Sequence, residues 1–356
     1  MMAAMKSAPI SFVLVLACAP AIAQEAPAWI GKPDCRLAAV KPPPAQAATW
    51  NGGCKNGYAE GKGALDWTDA AGNHYKLEAE FAAGRTRGEG TLHYPHGSIY
   101  TGTLKDGRPD GHGYFREPNG DQYEGDIREG KLMGPGEALY ANGDDYKGEF
   151  KNNQPDGTGT ITWALGGRYE GGWKNGEPSG PGKIVYAGGA GREVAVQDGR
   201  DPGRPRAVAP DGTYTVKQKF ATIGTTFRRD AARGIPVPPE RGFKELTAAE
   251  QATIANWYPA LAPGDEPPYP AKGPAEFLRA IVSIVNKTLA EGDVTVYVLV
   301  GTDGKARSVR AIGLNDPEVR KTVATVASLM QYKPAVCAGQ PCEMVYPYRL
   351  RLGLEP

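Results

Sequence analysis

Residues 146–163 read YKGEFKNNQPDGTGTITW, and residues 169–186 read YEGGWKNGEPSGPGKIVY. The two stretches start 23 residues apart, and each has an aromatic residue, a glycine two positions later and a second aromatic residue four positions later. Both then carry a turn-like dipeptide and two glycines separated by one residue. A fixed period of this length is the signature of a repeat architecture, so it decides the fold before any single motif does.

The same pattern extends in both directions along the chain. The residues that define it in the regular copies are Tyr100, Gly102, Tyr123, Gly125, Tyr146, Gly148, Tyr169, Gly171 and Trp173. Two further copies begin upstream at Trp50 and Leu77, and Val194, Val196 and Gly199 indicate a decayed seventh copy. Degenerate terminal copies are expected because end repeats cap a stack.

Each copy is predicted to form one β-hairpin. The aromatic residue, the glycine two positions later and the residue four positions later are spaced by two, so they lie on one face of a strand. A second set with the same spacing follows a glycine-bearing turn. Asn153 takes the place of a turn glycine, and Asn tolerates the positive φ of such a turn. The strand glycines are expected to leave room for an aromatic ring of the next repeat.

This pattern resembles the MORN repeat, Tyr-x-Gly-x-Trp/Phe-x-x-Gly-x-x-x-Gly-x-Gly. The resemblance implies an elongated, twisted antiparallel sheet over 50–205, and proteins of this family serve as scaffolds, partner-docking surfaces and sometimes lipid contacts. The repeat aromatics can be interpreted as a strip that binds peptide or glycan, or as the core of the array itself. We expect these aromatics to form the core of the array, since the residues that define a repeat usually maintain its structure.

The first 23 residues are predicted to be a signal peptide. Lys6 precedes an apolar run from Ile10 to Cys18, and Ala21-Ile22-Ala23 forms a cleavage site. The run is shorter than the roughly 20 residues that span a bilayer. Cleavage predicts a periplasmic protein with no transmembrane segment in the mature chain. A lipoprotein acylated at Cys18 is the alternative, and an uncleaved anchor is a third possibility.

Cleavage would leave four cysteines, and an even number in an exported chain predicts disulfides. Four cysteines allow three pairings, of which proximity favours Cys35–Cys54 and Cys337–Cys342. The first bond would tie the segment 24–49 to the first repeat.

The charge distribution argues against nucleic acid as a partner. Residues 50–205 hold 18 basic and 23 acidic side chains, a net charge of −5, and residues 269–356 hold 11 basic and 8 acidic, a net charge of +3. Nucleic-acid binding needs a strong basic field. The acidic array also argues against anionic lipid as its main ligand.

Residues 206–268 are rich in proline and glycine, so they are predicted to be a linker. A strand-like run at 213–227 is expected to pack on the end of the array. Within the linker, Thr247 and Glu250 form a capping box for a short helix at 246–257.

The last segment, 269–356, changes character. Its periodicity predicts an α+β domain with the order helix 274–289, strand 294–300, strand 306–312, a helix from Pro317 capped by Asp316, and strand 344–352.

This domain resembles the TonB C-terminal domain family. The resemblance lies in Tyr269-Pro270, Val294–Val300, Asp303-Gly304, Tyr332-Lys333-Pro334-Ala335, Gly339-Gln340-Pro341 and Val345-Tyr346-Pro347-Tyr348. It implies a bacterial envelope protein, and in energy-transducing members the domain pairs with a short strand of an outer-membrane receptor. The anchor and the long proline-rich spacer of those members are missing, so we expect the fold without that task.

The final strand is predicted to be an exposed edge, because Pro347 lacks the donor that an internal ladder requires. Exposed edges accept a partner strand. The candidate partner-binding residues are Met344, Val345, Tyr346, Tyr348, Arg349 and Arg351. The two arginines would favour an acidic peptide, or they would only keep the edge soluble.

Catalytic and cofactor motifs are not apparent. His93 and His96 could form a metal pair, but their neighbourhood holds no cysteine or further histidine. Gly-x-Ser-x-Gly does not occur, and the glycines recur at hairpin positions rather than between a strand and a helix. We therefore expect no enzyme, no metal and no cofactor.

The predicted function is a non-catalytic envelope protein that binds or scaffolds protein partners or cell wall. The alternative is an accessory of TonB-type energy-coupled transport that contacts an outer-membrane receptor. A hydrolase that uses the array to bind its substrate ranks third.

Overall fold

A computed structural model describes residues 29–45, 48–196, 213–218, 232–233, 237–314 and 316–354. The predicted signal peptide with Cys18, and Gly199 of the decayed copy, lie outside the described residues. The described chain is mainly β: a long antiparallel hairpin sheet precedes a region that holds the helices.

The repeat region forms one long sheet, the repeat array. Its described strands are β1 (Trp29–Lys32), β2 (Cys35–Ala38), β3 (Thr49–Trp50), β4 (Gly53–Lys55), β5 (Gly57–Thr68), β6 (His74–Ala82), β7 (Arg85–His93), β8 (Ile99–Lys105), β9 (Arg108–Arg116), β10 (Gln122–Arg128), β11 (Lys131–Leu139), β12 (Asp145–Lys151), β13 (Gln154–Thr162), β14 (Arg168–Lys174), β15 (Glu177–Val185) and β16 (Gly191–Val196). From β5 to β16 each strand pairs antiparallel with the next strand of the chain. The predicted antiparallel array is confirmed.

Two-residue turns close the hairpins. Asp106 and Gly107 have φ of 48° and 73°, and Asn152 and Asn153 have φ of 50° and 71°. Two successive left-handed residues match the right-handed twist of the flanking strands. The prediction that Asn153 occupies a positive-φ turn position is confirmed.

The tyrosines and glycines of one repeat form a single packing unit. The Tyr146 hydroxyl donates to the Glu149 carbonyl at 3.1 Å, which lays the ring along its own hairpin. A Cβ at Gly159 would lie 2.3 Å from that hydroxyl, so only glycine fits beneath the ring. The glycines thus accommodate the tyrosine of their own repeat, which corrects the expectation of a ring from the next one. The ring of Trp173, from the next repeat, packs edge-on against Tyr146 at 4.9 Å between centroids.

The less regular copies have the same construction. In the first copy, Trp50 lies over Gly52 and Gly63, where a Cβ would approach the indole within 2.2 Å and 2.4 Å. At the other end, β16 pairs with β15 and buries Val194 and Val196. The hairpins therefore continue before residue 100, and a half-copy closes the described array.

Both predicted disulfides are present. Cys35 bonds to Cys54, and the parallel pairing of β2 with β5 starts at the same cysteine, so the N-terminal segment is tied to the first repeat. Cys337 bonds to Cys342 across a short hairpin.

The remaining described elements form the C-terminal domain. They are strands β17 (Thr213–Gln218), β18 (Ala232–Arg233), β19 (Tyr269–Pro270), β20 (Gly292–Val300), β21 (Ala306–Gly313), β22 (Tyr332–Lys333), β23 (Ala335–Cys337), β24 (Gln340–Cys342) and β25 (Met344–Leu354), helices α1 (Ala248–Ala255), α2 (Ala275–Thr288) and α3 (Pro317–Leu329), and a 3-10 turn (Phe243–Glu245). The main sheet has the order β18-β17-β25-β20-β21. The predicted order of helix, strand, strand, helix and strand is found, and Asp316 caps α3 through the amides of Glu318 and Val319.

The linker prediction for 206–268 is wrong in two places. Thr213–Gln218 pairs in parallel with the second half of β25, so it belongs to the C-terminal sheet and not to the end of the array. Phe243, Ile254 and Trp257 lie buried in the core of the C-terminal domain. Local composition misleads here because the partner of β17 lies more than a hundred residues away in the chain. The capped helix α1 within this segment is confirmed.

Candidate functional site

The final strand is internal in its second half and has a strand on one side only in its first half. β25 lies between β17 and β20, and its pairing with β20 runs the whole way from Met344 to Leu352. Pro347 faces the point that β17 does not reach, since the pairing with β17 starts at Arg349. In that half the Tyr258 hydroxyl donates to the Val345 carbonyl at 2.8 Å. The predicted partner-binding edge is therefore wrong for 349–352, which has a strand on both sides, while 344–348 has a strand partner on one side only.

The side chains of the predicted edge also serve the fold. Met344, Tyr346 and Tyr348 are at most 2% exposed, and Val345 is half-buried. Arg351 forms two hydrogen bonds with the Asp293 carboxylate, at 2.9 Å and 3.3 Å. The side chains of Met344, Tyr346 and Tyr348 thus belong to the core of the domain, and Arg351 is paired with Asp293, so these side chains would not contact an incoming peptide.

Arg349 lies near the array. Burial raises the pKa of Asp144, and the hydrogen bond from the Ala164 amide and the charge of Arg349 oppose that rise. Because Asp144 ends a turn between two repeats, the arginine acts across the boundary between the array and the C-terminal domain.

The turns between the last repeats contact the C-terminal domain. The Tyr297 hydroxyl donates to the Asn142 carbonyl, and the Ala187 amide donates to the Ala260 carbonyl at 3.0 Å. Leu165, in the turn between these two, is 4% exposed and packs in the C-terminal core. Three successive inter-repeat turns thus form one docking edge.

The defining aromatics of the repeats are internal. Tyr100, Tyr123, Tyr146 and Tyr169 are between 0% and 5% exposed, and Trp173 is 7% exposed. The core interpretation is confirmed, and these rings do not form a binding strip.

A second row of larger side chains is half-buried except at its first member, Trp67, which is 3% exposed; the sequence alone assigned this row no role. It occupies the position 17 residues after the start of each copy, just before the inter-repeat turn. From the first copy to the sixth the residues are Trp67, Tyr94, Glu117, Tyr140, Trp163 and Tyr186. Glu117 is the one residue of this row that is not aromatic.

A cavity of about 410 Å³ lies at this interruption of the row. It is lined by Tyr94, His96, Ser98, Phe115, Glu117, Asp121, Gln122, Tyr123, Gly130, Leu132, Ala138, Tyr140, Phe150 and Asn153. Tyr94 and Tyr140, the row members on either side of Glu117, both contribute to its wall. The cavity therefore lies beside the one position of the row that has no ring.

The polar groups of the cavity centre on Glu117. The buried Ser98 hydroxyl donates to Glu117 Oε2, and His96 Nε2 lies 3.9 Å from the same oxygen. Burial, with the charge of Glu117, raises the pKa of Tyr94 to about 12. Burial and the charges of Asp121 and Asp144 also raise the pKa of Tyr140. Both tyrosines keep their phenolic protons at physiological pH, so the acidic groups of the cavity wall are Glu117 and Asp121.

No metal-binding group appears among the described residues, where no three histidine, cysteine or acidic side chains are placed around one point. His93 lies on β7 and His96 lies in the following turn, where Glu117 is its neighbour. Of the helices that the structure describes, none is long and apolar enough to cross a membrane.

The repeats match a known family. The profile of the MORN repeat matches residues 100–122, 123–145, 146–168 and 169–191, which are four consecutive copies. These matches cover about a quarter of the chain. No significant relative was found among curated proteins. Residues 100–191 are therefore MORN repeats, a type of repeat that generally mediates interactions.

Proposed function

We propose that this protein is a non-catalytic binding or scaffold protein of the bacterial cell envelope, with protein or cell wall as its partner. The observation that carries the proposal is the docking edge: three inter-repeat turns are part of the C-terminal domain's packing, while the cavity beside them stays open. A platform with one covered half and one open half is suited to holding a partner at a fixed place.

The periplasm is the proposed compartment. The order of charge, apolar run and cleavage motif over residues 6–23 supports export, and two disulfides suit an oxidising compartment. We also propose that residues 269–356 form a domain of the TonB C-terminal type. The order of helices and strands in that region is compatible with this proposal. Contact of an outer-membrane receptor with β25 would be confined to 344–348, because β17 covers the rest of that side of the strand.

The test is reciprocal co-purification from envelope extract, with the mature chain as bait and mass spectrometry as the readout. We expect a mature N-terminus at Gln24 and one partner recovered in both directions. A chain that keeps its first 23 residues and stays with the cytoplasmic fraction would overturn the localisation. Turnover of a cell-wall substrate by the purified chain would overturn the non-catalytic assignment.

A further inference from the structure

We propose that the cavity between Tyr94 and Tyr140 binds an arginine side chain presented by a protein partner. This inference rests on the proposed binding function and names the chemistry that the open half of the array would recognise. It starts from the interrupted row: the third copy has Glu117 where the other five described copies have a ring.

The walls of the cavity suit a flat cation. Tyr94 and Phe115 have ring centroids 6.0 Å apart, and Tyr140 closes the cavity from the next repeat. A guanidinium group stacks on aromatic faces, and it is attracted to a ring when it lies within about 6 Å of the centroid. An arginine side chain that enters the cavity would therefore lie where the row has no ring, between Tyr94 and Tyr140.

The charge of the cavity selects a cation over an uncharged ring. Among the lining residues, Glu117 and Asp121 are the acidic ones, and lysine and arginine do not occur in the described lining. An inserted aromatic side chain would cover the Glu117 carboxylate without supplying an opposite charge, and burial of an uncompensated charge is costly. A guanidinium group supplies both the flat surface and the charge.

Glu117 is the carboxylate that can pair with the ligand. Asp121 already holds the inter-repeat turns, because its carboxylate accepts from the Ala141 amide at 2.6 Å and from the Asn119 side-chain amide at 2.8 Å. The Glu117 side chain is 42% exposed, and its described polar contacts, Ser98 and His96, both lie at Oε2. The other oxygen, Oε1, has no polar contact described, so it is the oxygen that an incoming donor would meet.

A protein is the source that these charges favour. A phosphate-bearing headgroup would bring an anion next to Glu117 and Asp121, which like-charge repulsion opposes. A neutral sugar could stack on the rings, but its binding would not depend on the charge of Glu117. An arginine side chain depends on both the rings and the charge.

The experiment is an NMR titration of the whole protein with two blocked tripeptides, acetyl-Gly-Arg-Gly-amide and the same peptide with citrulline in place of arginine. Citrulline keeps the shape and loses the charge. We expect the arginine peptide to shift the amide signals of 94–98, 115–121 and 140. Citrulline should bind about tenfold more weakly, since it lacks the charge-assisted bond and the cation–ring attraction.

Three variants sharpen the test. Glu117→Gln keeps the size and the acceptor for Ser98, and it should weaken the arginine peptide about tenfold. Glu117→Tyr completes the aromatic row and should abolish binding by filling the cavity. Glu149→Gln removes an exposed carboxylate outside the cavity lining, and it should leave binding unchanged. Thermal unfolding of each variant establishes that it is folded.

Equal affinity for the two peptides would overturn the proposal. So would a neutral oligosaccharide, or vesicles of phosphatidylcholine, that shifts the same signals equally in the protein and in Glu117→Gln. If the co-purifying partner is still recovered with Glu117→Tyr, the arginine site is wrong while the binding function stands. If the peptides bind as expected but no envelope partner is recovered, the site stands and the proposed function fails.

Discussion

From β5 to β16 the repeat array pairs each strand with its neighbour in the chain, whereas the C-terminal domain pairs Thr213 with Arg349. In the array, each tyrosine packs on glycines of its own hairpin, so the core is assembled one repeat at a time. In the C-terminal domain, one core draws on segments from Tyr214 to Leu352. The array could be predicted from the sequence because its contacts are local. The pairing of β17 with β25 could not, because the two strands lie far apart in the chain.

The largest expected effect is on a glycine that lies under a ring. In Gly148→Val, the new Cβ would lie 2.5 Å from Gly159 Cα and 2.5 Å from the Tyr146 hydroxyl. The Gly159 backbone and the hydrogen-bonded Tyr146 ring cannot move away from the new side chain. We therefore expect the free energy of unfolding to fall by about 3 kcal/mol or more. Urea unfolding followed by aromatic circular dichroism measures it.

The matched control is Glu149→Ala, which changes the adjacent, exposed position. Gly171→Val and the half-buried Glu170→Ala repeat the comparison one copy later. We expect both glycine variants to lose far more stability than their neighbours. Equal losses within each pair would show that the array does not depend on the packing of rings over glycines.

The second effect concerns the disulfide that ties the N-terminal segment to the first repeat. Replacement of Cys35 and Cys54 by serine opens a loop with a sequence separation of 19 residues. Loop entropy predicts a loss of about 3 kcal/mol, felt at the first repeat. Hydrogen exchange should rise in 53–68 and stay unchanged in 168–185, because each repeat contacts mainly its neighbours. Equal acceleration in both segments would show that the array unfolds as one unit.

These predictions also mark what the sequence could determine. Turn residues such as Asn153, the Asp316 cap and the Thr247 capping box act within a few residues, so the pattern predicted them correctly. Pro347 does lie in the half of β25 that β17 does not cover, but the edge prediction failed for the second half, because the strand that covers it comes from a distant segment. The sequence does show that Glu117 is the one non-aromatic residue at its repeat position. Only the structure shows that its neighbours in the row, Tyr94 and Tyr140, line one cavity with it.

The third effect tests whether the two regions are coupled. Leu165 belongs to an array turn but packs in the C-terminal core, so Leu165→Ala should destabilise the C-terminal domain by about 2 kcal/mol. Leu139→Ala is the control, since Leu139 is 38% exposed on an array strand. Hydrogen exchange in 292–300 reports the result. If exchange there does not change, the domain folds without the docking edge, and the two regions are independent.

The smallest effect concerns the half of β25 that β17 does not cover. Tyr258 is 1% exposed, and its hydroxyl donates to the Val345 carbonyl, so Tyr258→Phe removes one buried hydrogen bond, worth about 1 kcal/mol. Exchange should rise at 344–348 and stay unchanged at 349–354, where β17 pairs with the strand. Tyr297→Phe is the matched control, because its hydroxyl bonds to Asn142 in the docking edge. That variant should loosen 141–143 instead. If Tyr258→Phe leaves 344–348 protected, Tyr258 does not substitute for the absent strand, and the protection of this half of β25 depends on its pairing with β20 alone.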